Sequence, residues 1–120
     1  MRPTAYLRKK IAMLHLTNKE ALQQKRILTK KISQFFSDKP VKKVWLFGSM
    51  ARGDFDNNSD VDILVAWDHA TMAIGWEYFG WWTDLEALTG RKVDLVSEGY
   101  VSKYVQPFVD QDKELIYEKN

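Results

Sequence analysis

The sequence predicts an α/β fold, in which a small mixed β-sheet carries helices on one side. Its 120 residues are near the usual size of a single domain. It has no cysteine, which excludes a disulfide scaffold and thiolate metal sites. Helical and strand periodicities alternate along the chain, as is typical of helices packed against a sheet. We assign residues 1–17 to an N-terminal arm without predicted structure and residues 18–117 to the domain.

The first helix is predicted by its cap and its periodicity. Thr17 precedes Glu20 by three residues, which is the spacing of a capping box. Apolar residues then recur at helical spacing from Leu22 to Ile32. We expect this helix to extend to about residue 38, because Pro40 cannot continue it.

The remaining elements alternate between strands and helices. Runs of β-branched and aromatic residues predict the strands, and Gly, Asn, Asp and Pro separate them. The predicted order is strand Val41–Phe47, a short helix beginning near Met50, a polar loop at 53–59, strand Val61–Trp67, helix 71–88, strand 92–96, short helix 102–110 and strand 113–117.

Charge is unevenly distributed, although the net charge is only +2. Residues 1–43 hold 12 Lys/Arg and 2 Asp/Glu, whereas residues 44–120 hold 6 and 14. A basic segment can bind nucleic acid or an acidic protein. These cations lack interleaved aromatic residues on which bases could stack, so a solvated helix face is favoured and no nucleic-acid partner is expected.

The sequence contains neither a membrane span nor a signal peptide. Its apolar runs are a few residues long, whereas a spanning helix needs about 20 residues. The N-terminus has charges but no apolar stretch before a cleavage site. We therefore expect a cytoplasmic protein without a membrane partner.

Three aspartates form the candidate metal site. Asp60 and Asp62 are one residue apart at a predicted strand, so both carboxylates point to one face. Asp94 interrupts an apolar strand, where a charge needs a partner. If these strands are neighbours, their oxygen ligands suit Mg²⁺ or Mn²⁺ rather than zinc. The alternative for Asp94 is an edge strand whose carboxylate faces water.

Gly48 and Ser49 form the candidate phosphate site. They follow a strand and precede a short helix, so free N–H groups and a hydroxyl meet there. Glycine also lets a phosphate approach the backbone closely. The chain lacks the glycine patterns of P-loop NTPases and of dinucleotide-binding folds, which excludes both classes.

Together these segments resemble the minimal nucleotidyltransferases (MNT) of the DNA polymerase beta superfamily. The resemblance rests on LFGSMARGD at 46–54, SDVDILV at 59–65 and GRKVDLV at 90–96, and it covers roughly residues 18–117. It implies a fold like the polymerase beta palm. It also implies two groups of site residues, namely Asp60, Asp62 and Asp94 for divalent metal and Gly48 and Ser49 for the nucleotide phosphates.

The resemblance leaves the role of Arg52 open, because this residue could contact a phosphate or pair with a nearby carboxylate. For Asp94 we expect a second role in addition to metal binding. A carboxylate that shares the metal is the best candidate to help deprotonate the acceptor hydroxyl.

The activity implied by the resemblance is transfer of a nucleoside monophosphate onto a hydroxyl, with AMP from ATP as the expected donor reaction. Many MNT proteins accompany HEPN-domain toxins, so the resemblance implies an antitoxin that modifies a tyrosine of its toxin. Two alternatives stay open. One is a small-molecule enzyme similar to aminoglycoside nucleotidyltransferases, with the acceptor held at a homodimer interface. The other is a non-catalytic, nucleotide-binding antitoxin that masks its partner.

The predicted helix 71–88 carries aromatic residues outside its core-facing stripe. Trp76 and Phe79 lie well outside this stripe when the residues are plotted at 100° each. They are expected either to form a partner surface or, if the helix begins later, to leave Trp76 folded over the core. The stripe itself consists of Ile74, Tyr78, Trp81, Leu85 and Leu88.

Overall fold

The computed structural model describes Thr4, residues 16–68 and residues 77–120. In chain order its elements are α1 (Asn18–Phe36), β1 (Val41–Phe47), α2 (Gly48–Arg52), β2 (Val61–Trp67), α3 (Glu77–Thr89), β3 (Val93–Ser97), α4 (Gln106–Asp112) and β4 (Glu114–Glu118). The predicted α/β class is confirmed. Among these ranges no helix combines the length and apolar character needed to cross a bilayer. The division into an arm and a domain remains a prediction.

Two strands have the predicted bounds. The predicted helix 71–88 is described from Glu77 and ends one residue later, at Thr89, and its first six predicted residues lie outside the described residues. Strands β3 and β4 each begin and end one residue later than predicted. Helix α1 ends at Phe36 rather than at residue 38, because the N–H of Ser37 already bonds back to Gln34. The predicted start of α4 at residue 102 was wrong. Pro107 has no N–H and fits a first helical turn, so the helix begins at Gln106.

The sheet is mixed, with the strand order β3-β2-β1-β4. Strand β1 is antiparallel to both β2 and β4, and β2 is parallel to β3.

The predicted N-terminal cap of α1 is also confirmed, since Thr17 Oγ1 accepts a hydrogen bond of 3.1 Å from the N–H of Glu20.

The main core lies between one face of the sheet and the long helices α1 and α3. Alternate residues of the strands point into it, as period-two geometry requires. The fully buried side chains of this cluster are Ile32, Phe36, Val41, Val44, Leu46, Met50, Val61, Ile63, Val65 and Leu85.

Helix α3 also closes the outer edge of β3. Tyr78 Oη donates to the carbonyl of Leu95 at 2.7 Å, and Trp82 Nε1 donates to that of Val93 at 2.7 Å. One turn later Glu86 Oε2 accepts from the N–H of Val93 at 3.1 Å. Three side chains spaced four residues apart thus replace the missing neighbour strand, which protects this edge from pairing with another chain.

The second face of the sheet is only partly covered. Leu64 alternates with Ile63 along β2 and is buried on this face, outside the main core cluster. The short α4 contacts β1, and Lys113, directly after it, places its ammonium 5.4 Å from the ring centroid of Trp45. This face leaves room for a site beside Leu64.

Candidate active site

The sheet register brings the predicted site residues together. Asp62 lies opposite Phe47 of β1, whose next residue is Gly48, and on its other side Asp62 lies opposite Asp94 of β3. Alternation along β2 places Asp62 on the partly covered face of the sheet. Residues from three neighbouring strands therefore meet in one row.

Gly48 is required by this arrangement. Its φ of 68° lies in the left-handed region, which side chains other than glycine rarely adopt. A Cβ built on Gly48 would collide with Asp62 Oδ2 and would lie 3.2 Å from Asp62 Cγ. Glycine is thus the residue that lets the turn before α2 lie directly against the Asp62 carboxylate.

The electrostatics of Asp62 indicate a site with excess negative charge. Burial, together with the nearby charges of Asp94 and Asp60, raises the pKa of Asp62 to about 6, while Arg52 opposes this shift. A carboxylate in this position is stabilised by a cation between it and its neighbours. The surroundings of Asp62 thus favour binding of a positive ion.

Asp94 was expected either to face water from an edge strand or to join the other two carboxylates, and the structure shows features of both. Strand β3 is an edge strand and Asp94 is exposed, so this carboxylate does face water. It nevertheless lies beside Asp62 in the parallel register, and its charge contributes to the raised pKa of Asp62. Asp60 is also exposed and reaches Asp62 through its charge.

The donors fit a hard divalent ion in kind but are not arranged around a common centre. Within residues 16–68 and 77–120 no three His, Cys, Asp or Glu side chains are placed to hold a metal ion as they stand. Carboxylate oxygens are the preferred ligands of Mg²⁺ and Mn²⁺. Binding such an ion requires the side chains of Asp60, Asp62 and Asp94 to turn toward one another.

Arg52 pairs with carboxylates, which was one of its two predicted roles. Its Nε donates to Asp54 Oδ2 at 3.1 Å, and its Nη1 donates to Asp112 Oδ2 at 2.6 Å. The second contact ties α2 to the end of α4. The positive charge of Arg52 also opposes the rise in the pKa of Asp62, so the guanidinium affects the site electrostatically.

Two basic residues that support the site have no sequence signal of their own. Lys25 of α1 donates to the carbonyl of Ala51 at 2.9 Å and to Glu114 Oε2 at 2.7 Å, and so joins α1, α2 and β4. In the sequence Lys25 is one cation of a basic helix face. Arg91 lies within the GRKVDLV segment, yet its contacts with the loop before Asp60 become evident only in the structure.

A cleft lies beside Asp60. It has a volume of about 250 Å³ and is lined by the loop before β2 and by the start of β3, including Asn58, Asp60, Arg91 and Lys92. A larger cavity of about 480 Å³ runs along α1 from Leu22 to Gln34. We regard the smaller cleft as part of the site, because it contains one of the predicted carboxylates and the larger cavity contains none.

Several large aromatic side chains are exposed on the described part of the chain. Phe79 is 68% exposed, which confirms its predicted position outside the core stripe, whereas Leu85 is fully buried. Trp76 and Ile74 lie outside the described residues. Three further aromatic side chains between β3 and the end of α4 are exposed without having been predicted, namely Tyr100, Tyr104 and Phe108.

Comparisons with known proteins identify the family of the chain. The family model "Polymerase beta, Nucleotidyltransferase" matches residues 30–120. The protein MJ1379 of Methanocaldococcus jannaschii, whose name assigns it as a protein adenylyltransferase, is 34% identical over 100 residues, which are 82% of this chain and 98% of that protein.

Two solved structures share the fold. A toxin–antitoxin structure with AMP-PNP matches with a TM-score of 0.63 and 23% identity, over 77% of this chain and 74% of the other. The tri-AMPylated Shewanella oneidensis HEPN toxin in complex with an MNT antitoxin matches with a TM-score of 0.60 and 20% identity, over 79% and 73%. The chain therefore belongs to the polymerase beta nucleotidyltransferase family, as its sequence motifs predicted.

Proposed function

We propose that this protein is a metal-dependent adenylyltransferase that moves AMP from ATP onto a tyrosine hydroxyl of a HEPN toxin, and so acts as an antitoxin. The observation that carries the proposal is the row formed by Phe47, Asp62 and Asp94 on adjacent strands, with Gly48 directly after Phe47 and against the Asp62 carboxylate. The HEPN partner is supported by the toxin–antitoxin complexes that share the fold. We place its action in the cytoplasm, where ATP is available.

The proposed reaction is a displacement at the α-phosphorus of ATP. The acceptor oxygen forms a bond to phosphorus, the bond to the pyrophosphate oxygen breaks, and the acceptor proton is transferred to a base. Gly48 and Ser49 hold the phosphates against the start of α2, and an Asp94 carboxylate oxygen accepts the proton. Bound Mg²⁺ or Mn²⁺ supplies charge stabilisation for the entering and leaving oxygens. Asp60, Asp62 and Asp94 are the residues that would hold it.

The exposed aromatic side chains support a protein acceptor rather than a small one. Tyr100, Tyr104 and Phe108 are exposed on the segment that follows β3, the strand that carries Asp94. Exposed aromatic side chains are enriched in protein interfaces. A docked protein covering these residues would bring its own tyrosine to the exposed carboxylate of Asp94.

The test mixes the protein with a HEPN protein encoded beside it, labelled ATP and Mg²⁺, and measures the mass of both proteins. We expect the HEPN protein to gain an adenylyl group with the wild type and not with Asp94→Ala. Complex formation should survive Asp94→Ala, because the carboxylate is not needed for docking. A mass gain that persists undiminished in Asp94→Ala would contradict the proposed role of this residue.

The same experiment distinguishes the two alternatives. Neutralisation of the toxin by wild type and Asp94→Ala alike, without a mass gain in either, would indicate a masking antitoxin. Transfer to an aminoglycoside but not to the HEPN protein would indicate the small-molecule enzyme.

Phe108→Ala should weaken transfer to a protein acceptor by roughly 10-fold if this residue is a hot spot. Leu22→Ala is the matched control, because Leu22 is also an exposed apolar side chain but lies on α1, outside the segment that follows β3.

A further inference from the structure

We propose that Arg91 is a positioning residue for the metal site, because its guanidinium fixes the loop that ends in Asp60. Arg91 Nη1 donates to the carbonyl of Asp56 at 2.7 Å and to the carbonyl of Ser59 at 2.9 Å. The carbonyl of Ser59 belongs to the peptide bond that leads directly into Asp60. One guanidinium nitrogen thus binds both ends of the turn that precedes this carboxylate. The inference rests on the proposed metal site.

The loop is braced from inside as well. The side chain of Asp56 accepts bonds from the N–H of Asn58 at 2.8 Å and from Ser59 Oγ at 3.2 Å. Ser59 Oγ in turn accepts from the N–H of Asp56 at 2.9 Å. These bonds shape the turn locally, but none of them attaches it to the rest of the molecule. The two bonds from Arg91 do attach it.

Arg91 is itself held from two directions. Its Nη2 donates to Gln24 Oε1 of α1 at 2.9 Å, and its guanidinium carbon lies 5.4 Å from the centroid of the buried Phe55 ring. Burial lowers the pKa of Arg91 below its usual range. Its four contacts lie on α1 and on the loop, so Arg91 joins both of them to the segment just before β3.

The position of Arg91 in the chain gives this connection a functional consequence. Arg91 precedes Asp94 by three residues, and the carbonyl of the intervening Lys92 accepts from the N–H of Val61 at 2.8 Å. Arg91 therefore links the chain just before Asp60 to the strand that carries Asp94. If that link loosens, the three carboxylates no longer keep a fixed spacing, and their affinity for a divalent ion falls.

Arg91→Lys tests this role, because lysine keeps the charge but cannot bind Gln24 and both carbonyls in the same fork geometry. We expect its Mn²⁺ affinity, measured by calorimetry on the protein without nucleotide, to fall roughly 10-fold, which is the usual effect of removing a residue that orients metal ligands. Amide hydrogen exchange should also accelerate within residues 56–60 and remain unchanged in β1.

Two further variants separate positioning from charge and from folding. Lys42→Ala removes an exposed cation of β1 that does not line the cleft, and it should leave the Mn²⁺ affinity within about twofold of wild type. Gln24→Ala removes only the α1 partner and should give a smaller loss than Arg91→Lys. It also keeps the test valid if Arg91→Lys does not fold.

The outcomes are distinct. Unchanged Mn²⁺ affinity in a folded Arg91→Lys, or equal losses in Arg91→Lys and Lys42→Ala, would overturn the proposal. A raised KM for ATP with unchanged Mn²⁺ affinity would also overturn it, since Arg91 would then act on the nucleotide. If the wild type transfers no AMP to any acceptor, the proposed function fails, whereas the Mn²⁺ affinities still decide the role of Arg91.

Discussion

The two faces of the sheet differ in what they bury. On the helix-covered face β2 presents Val61, Ile63 and Val65, and all three are fully buried. On the other face the same strand presents Asp62 and then Leu64, with only a short helix nearby. A single strand therefore contributes packing through alternate residues and chemistry through the residues between them.

This alternation has opposite energetic signs on the two faces. Each aliphatic side chain that β2 buries under the helices stabilises the fold by about 1.5–3 kcal/mol. Asp62 opposes folding in its charged form, because burial and two like charges raise its pKa to about 6. Burial of apolar side chains on the covered face thus offsets the free-energy cost of the charged Asp62 carboxylate on the other face.

The largest expected effect breaks the site face without disturbing the covered one. Asp62→Asn should lower AMP transfer by roughly 100-fold or more, since it removes a central ligand of the proposed metal site. The midpoint of thermal unfolding without metal should not fall, because the substitution removes a disfavoured charge. Transfer within a few-fold of wild type, measured with labelled ATP, would contradict the assignment of Asp62.

Ile63→Ala is the matched change on the opposite face, one residue along the strand. It should lower the free energy of unfolding by about 3 kcal/mol, because it empties a fully buried position. Transfer by the molecules that remain folded should stay close to wild type, since Asp62 and Asp94 keep their register. Urea unfolding together with activity at low temperature measures both quantities. A loss of activity without a loss of stability would show that the two faces are not separable.

The sequence predicted the parts of this comparison that depend on local pattern. The bounds of β1 and β2 follow from β-rich runs, the first of which is ended by Gly48. The shared face of Asp60 and Asp62 stays a prediction from alternation. Gly48 was assigned to the phosphate site from the sequence because a glycine lets a phosphate approach the backbone closely. The structure adds that a side chain there would collide with Asp62.

The remaining features depend on contacts between distant parts of the chain. Gln24 and Arg91 are 67 residues apart, and neither residue type at its own position indicates the other. The closing of the β3 edge likewise needs Tyr78, Trp82 and Glu86 to face one strand, which requires knowledge of how α3 packs. On that helix, periodicity predicted the exposure of Phe79 and the burial of Leu85, but it was wrong for Leu88, which is exposed rather than part of the core-facing stripe.

The pH dependence of stability tests the charge on the site face. Asp62 has a pKa of about 6 in the folded protein and an ordinary value of 3.8. The folded state therefore binds this proton more tightly than the unfolded state, and the stability it confers is present below pH 3.8 and lost as the pH rises through 6. After a discount for partial exposure, we expect wild type to lose about 1.5 kcal/mol relative to Asp62→Asn between pH 4 and pH 7.

Comparing the two proteins isolates Asp62, because Asp38, Asp56 and Asp110 have lowered pKa values in both and act in the opposite direction. Urea titrations at four pH values measure the difference. Adding Mg²⁺ at pH 7 should restore stability to wild type and have less effect on Asp62→Asn. If the free energies of unfolding of the two proteins change with pH in parallel, the pKa of Asp62 is not raised in the folded protein.

The smallest expected effect concerns how the covered face is closed at its edge. Tyr78→Phe removes the hydroxyl that donates to the carbonyl of Leu95 but keeps the ring, whose centroid lies 5.8 Å from those of Trp67 and Trp82. The lost bond should lower the free energy of unfolding by about 1 kcal/mol, because a partly buried carbonyl is left without its partner. Phe79→Leu, on the exposed side of the same helix, should change stability by less than about 0.5 kcal/mol. Chemical denaturation of the three proteins measures both changes.

Because Leu95 follows Asp94 in β3, the same variants show whether closing the edge of β3 also affects the metal site. If Tyr78→Phe lowers Mn²⁺ affinity as well as stability, closing the edge positions Asp94, and the two faces are coupled through β3. If it lowers stability alone, they act independently.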